Sequence, residues 1–290
     1  MRRTVWWAGF GLSVVLMTGL TGCATRGPVS STPPPVERVS QIGLASEDPW
    51  KLYEQAVEAA KFPQPSAIST SLVPIVHSTP GLRWDGQGRV LMATWTKGRF
   101  YDGKKQGDPY AFDFGQSWLT AVPFVKSFCQ KVQKDKLTLR LQQLLGLPPK
   151  AEEDANDTFV EVWVNPADLF RPCADPEIID RECTLNLTAQ DSPEGQCPWK
   201  DSFAGQVSER WVKVEQTHLD WMCSNWEQVY PPDPLKGFPW TALGYTYDWG
   251  QPDHVGQSEF VAPKGTKVVI ESITGTAEYC GGGPKSGTSR

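Results

Sequence analysis

The chain has 290 residues, of which 39% are apolar and 21% are charged, and its formal net charge is −5 at pH 7. This composition excludes an intrinsically disordered protein, because enough apolar surface is present to form a sizeable core. The acidic balance argues against nucleic acid as a partner, since surfaces that bind nucleic acid are usually basic.

The first segment, residues 1–22, has the pattern of a secretory signal peptide. Arg2 and Arg3 precede an apolar run without charged side chains that covers residues 4–20. We therefore expect the chain to be exported and this segment to be removed.

The signal ends in Leu-Thr-Gly-Cys-Ala, residues 20–24, which resembles the lipobox of bacterial lipoproteins. The resemblance implies that the chain is cut before Cys23 and that Cys23 carries acyl chains, palmitate among them, that anchor the protein to a membrane. Ala24, where an Asp would imply retention at the inner membrane, favours the outer membrane. Two alternatives remain: an ordinary cleavage site that releases a soluble protein, or an uncleaved membrane helix.

Residues 23–46 are predicted to form the lipidated Cys and a disordered tether, because a segment rich in Pro, Ser and Thr cannot bury enough surface to fold. Asp48 as N-cap and Pro49 at the first helical position then predict a helix that ends near Lys61. Its apolar residues lie on one stripe: Trp50, Tyr53, Val57 and Ala60.

Strand and helix patterns alternate in the following hundred or so residues. Residues 72–77 and 89–96 have strand patterns, and the turn sequence at 85–88 predicts a hairpin between 82–84 and the second strand. Apolar spacing within residues 120–146 predicts a buried helical face, which a Gly and a Pro end.

An acidic stretch near residues 150–157 marks a possible subdivision of the domain. Residues 158–164 then alternate in polarity, which predicts a strand with Val160, Val162 and Val164 on one face. Residues 165–206 are predicted to be loop-like and held by disulfides.

The carboxyl-terminal part has both patterns. Residues 211–214 alternate like a strand, whereas Leu219, Met222, Cys223 and Trp226 have helical spacing. Residues 241–249 alternate as one strand face, and two further strands, 258–262 and 267–273, flank a Pro-Lys-Gly turn. We predict one α+β globular unit over residues 47–280, with an antiparallel sheet, a few helices and disulfides, followed by a disordered tail at 281–290.

Seven cysteines are present, and lipidation of Cys23 leaves an even set of six. In an oxidising periplasm the six predict three disulfides with fifteen possible connectivities, although some could be reduced and buried instead. The candidates are Cys129, Cys173, Cys183, Cys197, Cys223 and Cys280. Only Cys129 precedes the acidic stretch, so full pairing requires it to bond into the second half of the chain, across at least 43 intervening residues.

The chain lacks the common catalytic and cofactor motifs, including G-x-S-x-G, the P-loop, H-E-x-x-H and C-x-x-C, and we expect no cofactor. His218 and Cys223 could share a helical face as two metal ligands. A structural zinc site needs four ligands, however, so we predict no metal. Four candidates for acid–base catalysis lie on or beside the loop that joins two predicted strands: Asp248, Asp253, His254 and Glu259. Solvated loop charges are the alternative interpretation.

Thirteen Trp residues are present, and Trp beside acids is typical of sugar-binding grooves, although core packing explains most buried Trp. The sequence therefore predicts an anchored, non-catalytic binding or assembly module of the cell envelope, with an envelope protein or glycan as partner. The alternative is a hydrolase of envelope glycan that uses acids such as Asp248 and Glu259.

Overall fold

The computed structural model describes residues 48–183, 197 and 216–281. The predictions for the signal peptide, Cys23 and the tether lie outside these residues, as do those for the strand at 211–214 and for the tail after Gly281.

The predicted antiparallel sheet is present, with seven strands in the described part of the chain. Their spatial order is β2-β7-β4-β1-β3-β6-β5, and all neighbouring pairs are antiparallel. The strands are β1 Val90–Thr96, β2 Pro109–Ala111, β3 Ser117–Ala121, β4 Thr158–Val164, β5 Tyr245–Tyr247, β6 Val255–Ala262 and β7 Lys267–Gly275. Strands from before and after residues 150–157 are interleaved in this order, so both halves of the chain build one sheet.

The sheet is curved, which follows from the short link between β6 and β7. These strands stand four places apart, about 19 Å in a flat sheet, yet the chain between Ala262 and Lys267 can span at most about 18 Å. The link also turns, since Thr266 N–H donates to the Pro263 carbonyl. Side chains from five strands accordingly meet in one core on the inner face, among them Val90, Leu119, Val160, Val162, Val164, Phe260 and Ile270.

Five helices accompany the sheet: α1 Pro49–Ala60, α2 Phe124–Cys129, α3 Leu137–Leu144, α4 Gln216–Val229 and α5 Thr276–Gly281. The start of α1 is as predicted, because the Asp48 carboxylate accepts the N–H of Trp50 and Pro49 occupies the first turn. Tyr53, Val57 and Ala60 are buried along the predicted stripe. No helix within these residues has the length and apolarity to cross a membrane.

The helices cover the outer face of the sheet. Tyr279 of α5 and Leu141 of α3 pack with Trp95 and Phe159 of the sheet. Helices α1 and α4 pack together against residues 240–249, and Trp118 of β3 contacts this second group. The outer face is therefore covered by two helical groups.

All six predicted cysteines pair. Cys129 bonds to Cys280, Cys173 to Cys183, and Cys197 to Cys223. The requirement that Cys129 bond into the second half is confirmed, and the bridge spans 151 positions. It links the end of α2 to α5.

Several local predictions were wrong. Residues 72–77 form no strand, because their backbone pairs only irregularly with the loop at 178–181. The helical region at 120–146 divides into α2 and α3, with β3 occupying its start. The turn at 263–266 and the two strands that flank it are present as predicted, although these strands are not neighbours in the sheet.

The prediction that residues 241–249 form one strand face was also wrong. Ala242 and Gly244 have φ of 54° and 74°, which interrupts an extended backbone, and the register shifts between Tyr245 and Tyr247. As a result Tyr245 and Tyr247 belong to different core clusters.

Candidate functional site

A cavity of about 560 Å³ lies between the outer face of the sheet and the two helical groups. Its walls come from β1, β3 and β6 on one side, and from the end of α3, helix α4 and residues 238–240 on the other. Small-molecule sites typically have volumes of about 300 to 1,000 Å³. The cavity is therefore large enough for a ligand.

Strand register places three side chains side by side in this cavity. Ala93 of β1 pairs with Thr120 of β3, and Thr120 pairs with Glu259 of β6. Because side chains alternate along a strand, Glu259 faces outward while Phe260 enters the inner core. The sheet thus presents one carboxyl group to the cavity.

Glu259 is only 7% exposed, and its Oε1 has no hydrogen-bond partner among the described residues. Burial raises the pKa of this carboxyl to about 8, because a charged form loses its hydration. At neutral pH the group is therefore mostly protonated and can donate a hydrogen bond.

A chain of amides fixes a second polar group in the cavity. The Trp221 indole N–H donates to Gln116 Oε1 at 2.7 Å, and an indole nitrogen can only donate. The Gln116 amide nitrogen must therefore point the other way, and it donates to Asn225 Oδ1 at 3.3 Å. This leaves Asn225 Nδ2, which is buried and has no partner within the described part of the chain.

Aromatic rings form much of the remaining wall. Trp118 of β3 and Trp240 lie nearly perpendicular, with ring centroids 6.4 Å apart and an interplanar angle of 81°. Trp95 and Tyr247 contribute further rings, and Phe238, which is partly exposed, lies on the opposite wall. Packing against these rings favours a ligand with flat apolar faces.

The acid cluster predicted around residue 248 does not form one site. The Asp248 carboxylate is buried and receives two hydrogen bonds from Arg140, at 2.9 and 2.6 Å. His254 stacks on the Tyr247 ring and contacts the Asp248 carbonyl oxygen through Nδ1, and Asp253 is exposed. Of these four residues, only Glu259 lines the cavity.

A second buried acid lies in the same row of the sheet but belongs to another environment. Glu161 of β4 pairs with Ala93, so it stands three strands from Glu259, roughly 14 Å at ordinary strand spacing. It accepts hydrogen bonds from Ser272 Oγ and Tyr279 Oη. Among the described residues, Glu259 is the one acid that lines the cavity.

The other candidate ligands have structural partners. Cys223 is disulfide-bonded, and His218 contacts the Cys173 carbonyl oxygen at 2.7 Å. Burial lowers the pKa of His218. Three further carboxylates, from Asp175, Glu177 and Asp180, lie within 4.8 Å of one another and could in principle hold a cation. The buried guanidinium of Arg171 already interacts electrostatically with all three.

A separate aromatic surface lies beside the cavity. Phe100 is 61% exposed and Phe114 is 98% exposed, and both line a groove of about 470 Å³. Gln116 and Ser117 line both this groove and the cavity. Two exposed aromatic rings therefore border this groove.

The sequence reasoning missed Asn225 and Gln116. A signal for Asn225 was present, because it lies on the apolar stripe of α4, three residues after Met222 and four before Val229. A buried amide on such a stripe indicates a polar contact. Gln116 has no such signal, since its role depends on Trp221, 105 positions away.

The chain matches no protein-family model, no curated protein and no solved structure.

Proposed function

We propose that this protein is a membrane-anchored envelope lipoprotein that binds a small ligand without transforming it. One observation carries the ligand-binding part of the proposal: a cavity of about 560 Å³ is lined by Glu259 and Asn225, and each of these residues has one buried polar atom, Oε1 and Nδ2, that no described residue satisfies. Buried polar groups are nearly always hydrogen-bonded, so a ligand or water is the natural partner for both.

The location part of the proposal is supported by the amino terminus and the cysteines. The lipobox resemblance at Cys23 supports attachment to a membrane, with the outer membrane favoured. Three disulfides are consistent with an oxidising compartment. Envelope protein and envelope glycan are the partner classes that this location offers.

Binding is favoured over hydrolysis because of the number of acids. Glycoside hydrolysis commonly needs two carboxyl groups about 5 to 10 Å apart on either side of the scissile bond. The described lining of the cavity provides Glu259 alone, and the Asp248 carboxylate is bound by Arg140. No specific observation favours the hydrolase.

Ligand access to the cavity can be tested with a neutral fluorescent probe, N-phenyl-1-naphthylamine. The protein for this test is the mature chain from Ala24 onward, exported with an ordinary cleavable signal peptide so that it carries no acyl chain. Gln228 of α4 is exposed and lines the cavity, so Gln228→Trp should obstruct it. Glu227→Trp is the matched control, because this neighbouring exposed residue does not line the cavity.

We expect probe emission to rise on binding, to fall strongly in Gln228→Trp and to persist in Glu227→Trp. Equal emission from the two variants would contradict binding in this cavity. An absence of probe binding to the parent chain would contradict an accessible apolar cavity altogether.

A further inference from the structure

Resting on the proposed function, we infer that the cavity binds an uncharged acetamido sugar, whose carbonyl and hydroxyl oxygens accept hydrogen bonds from Glu259 and Asn225. Both side chains are more than nine-tenths buried, line the same cavity and lack partners at the atoms named above.

Asn225 is a donor at this position regardless of pH. Trp221 fixes the orientation of the Gln116 amide, and Gln116 Nε2 then donates to Asn225 Oδ1. Only the amino group of Asn225 is left without a partner among the described residues. An amino group that is buried and unpaired requires an acceptor oxygen. A ligand carbonyl or hydroxyl supplies one.

Glu259 is a second donor under neutral conditions. A buried carboxyl with no cation nearby holds its proton, and the cavity lining contains no Lys, Arg or His among the described residues. A protonated carboxyl presents an O–H, so both groups face the ligand as donors. An anionic ligand would meet no basic partner in this lining.

The walls of the cavity favour a sugar ring as the part of the ligand that carries these oxygens. Trp118 and Trp240 offer indole surfaces on which the C–H faces of a pyranose can pack, while Ser117, Thr120 and Thr246 add hydroxyl groups around the same space. An acetamido group adds a strong carbonyl acceptor and a methyl group that suits an apolar wall. The volume, about 560 Å³, accommodates a disaccharide.

Few other groups near Glu259 can change charge. Tyr247 lines the cavity and Tyr245 lies close enough to interact electrostatically with Glu259, and burial raises the pKa of each phenol to about 12. Both phenols therefore stay neutral below pH 10. His254 stacks on Tyr247, and Asp253 interacts with Tyr245 from the neighbouring loop. A variant at Glu259 therefore distinguishes the titration of this carboxyl from the titration of the neighbouring groups.

The test is calorimetric titration of the same unacylated mature chain with N,N′-diacetylchitobiose. Its de-acetylated counterpart has the same sugar frame but two ammonium groups at pH 6.5. We expect the acetylated disaccharide to bind more tightly at pH 6.5. A carboxyl with a pKa of about 8 loses its donor proton as pH rises past this value. The affinity for the acetylated disaccharide should therefore fall roughly thirtyfold between pH 6.5 and pH 9.5.

Variants identify the group responsible. Glu259→Gln retains a donor, so it should keep the affinity seen at pH 6.5 and lose the pH dependence. Glu259→Leu should weaken binding at least tenfold, and Asn225→Ala should do the same while keeping the pH dependence. Glu161→Gln, which alters a buried acid outside the cavity, should behave like the parent chain.

Three outcomes would overturn the inference. Tighter binding of the de-acetylated disaccharide at pH 6.5 would indicate a site for cations. Loss of binding in Glu259→Gln at pH 6.5 would show that the carboxylate itself is needed. Binding of N-phenyl-1-naphthylamine without binding of either sugar would exclude this ligand class but keep the proposed function, whereas failure of the probe as well would end both.

Discussion

Glu259 links the cavity to the stability of the fold. The pKa of its carboxyl is about 8 in the folded protein, above its ordinary value of 4.5, so the folded chain keeps a proton that the unfolded chain releases between these values. The contribution of this carboxyl to the free energy of unfolding is therefore fully present below about pH 4.5. It is lost as pH rises toward 8, by up to about 1.4 kcal/mol per pH unit. The total reaches roughly 5 kcal/mol if the whole shift is realised.

We accordingly predict that Glu259→Gln unfolds at higher urea concentration than the parent chain at pH 8.5, with a difference that shrinks toward pH 5. Urea unfolding at several pH values measures this directly. Glu161→Gln is the control, because Ser272 and Tyr279 already satisfy that acid. Parallel pH profiles for the parent and Glu259→Gln would contradict the assigned pKa.

Asp248 and Arg140 form a buried ion pair whose loss should lower the free energy of unfolding. The carboxylate is 2% exposed and its two bonds to Arg140 are 2.9 and 2.6 Å long. Arg140→Ala would leave a buried charge without its partner, which typically costs about 3 to 5 kcal/mol of unfolding free energy. Arg83→Ala should cost less than about 1 kcal/mol, because Arg83 is more than half exposed and lies 3.7 Å from Glu271. Similar losses for the two variants in urea unfolding would argue against a stabilising role for the buried pair.

At the level of elements, the disulfides differ in the length of chain that they close. Cys129–Cys280 spans 151 positions, whereas Cys173–Cys183 spans 10. Chain entropy then predicts that replacing the first pair by Ala costs about 5 kcal/mol and replacing the second costs about 3 kcal/mol. Thermal unfolding of the two double variants under oxidising conditions tests the order. A larger loss from the short bridge would show that local packing outweighs loop closure.

Elements whose causes are local were predictable from the sequence. The start of α1 depends on Asp48 and Pro49, and the buried face of α4 on the spacing of Leu219, Met222 and Trp226. The segment at 241–249 was not predictable, because Ala242 adopts positive φ within a fully packed surrounding. Alternating polarity alone does not reveal such an interruption.

At the scale of the whole molecule, the α+β class and the antiparallel sheet followed from the sequence, whereas the strand order did not. The order depends on pairings such as β1 with β4 and β4 with β7, which join distant parts of the chain. The cavity shares this dependence, because Glu259 of β6 and Asn225 of α4 meet only after the sheet and helices have packed. Glu259 could be named as a candidate from the sequence, but its separation from Asp248 could not be foreseen.

The lipobox resemblance at Cys23 predicts the last property of the whole molecule, its attachment to a membrane. We expect the parent chain to sediment with the outer-membrane fraction and to incorporate an alkyne-labelled palmitate. Cys23→Ser should remove the label. The six remaining cysteines pair among themselves, so loss of Cys23 should leave all three disulfides intact. Parent chain that sediments with membranes but takes up no label would indicate an uncleaved helix instead, and unlabelled parent chain in the soluble fraction would indicate an ordinary cleavage site.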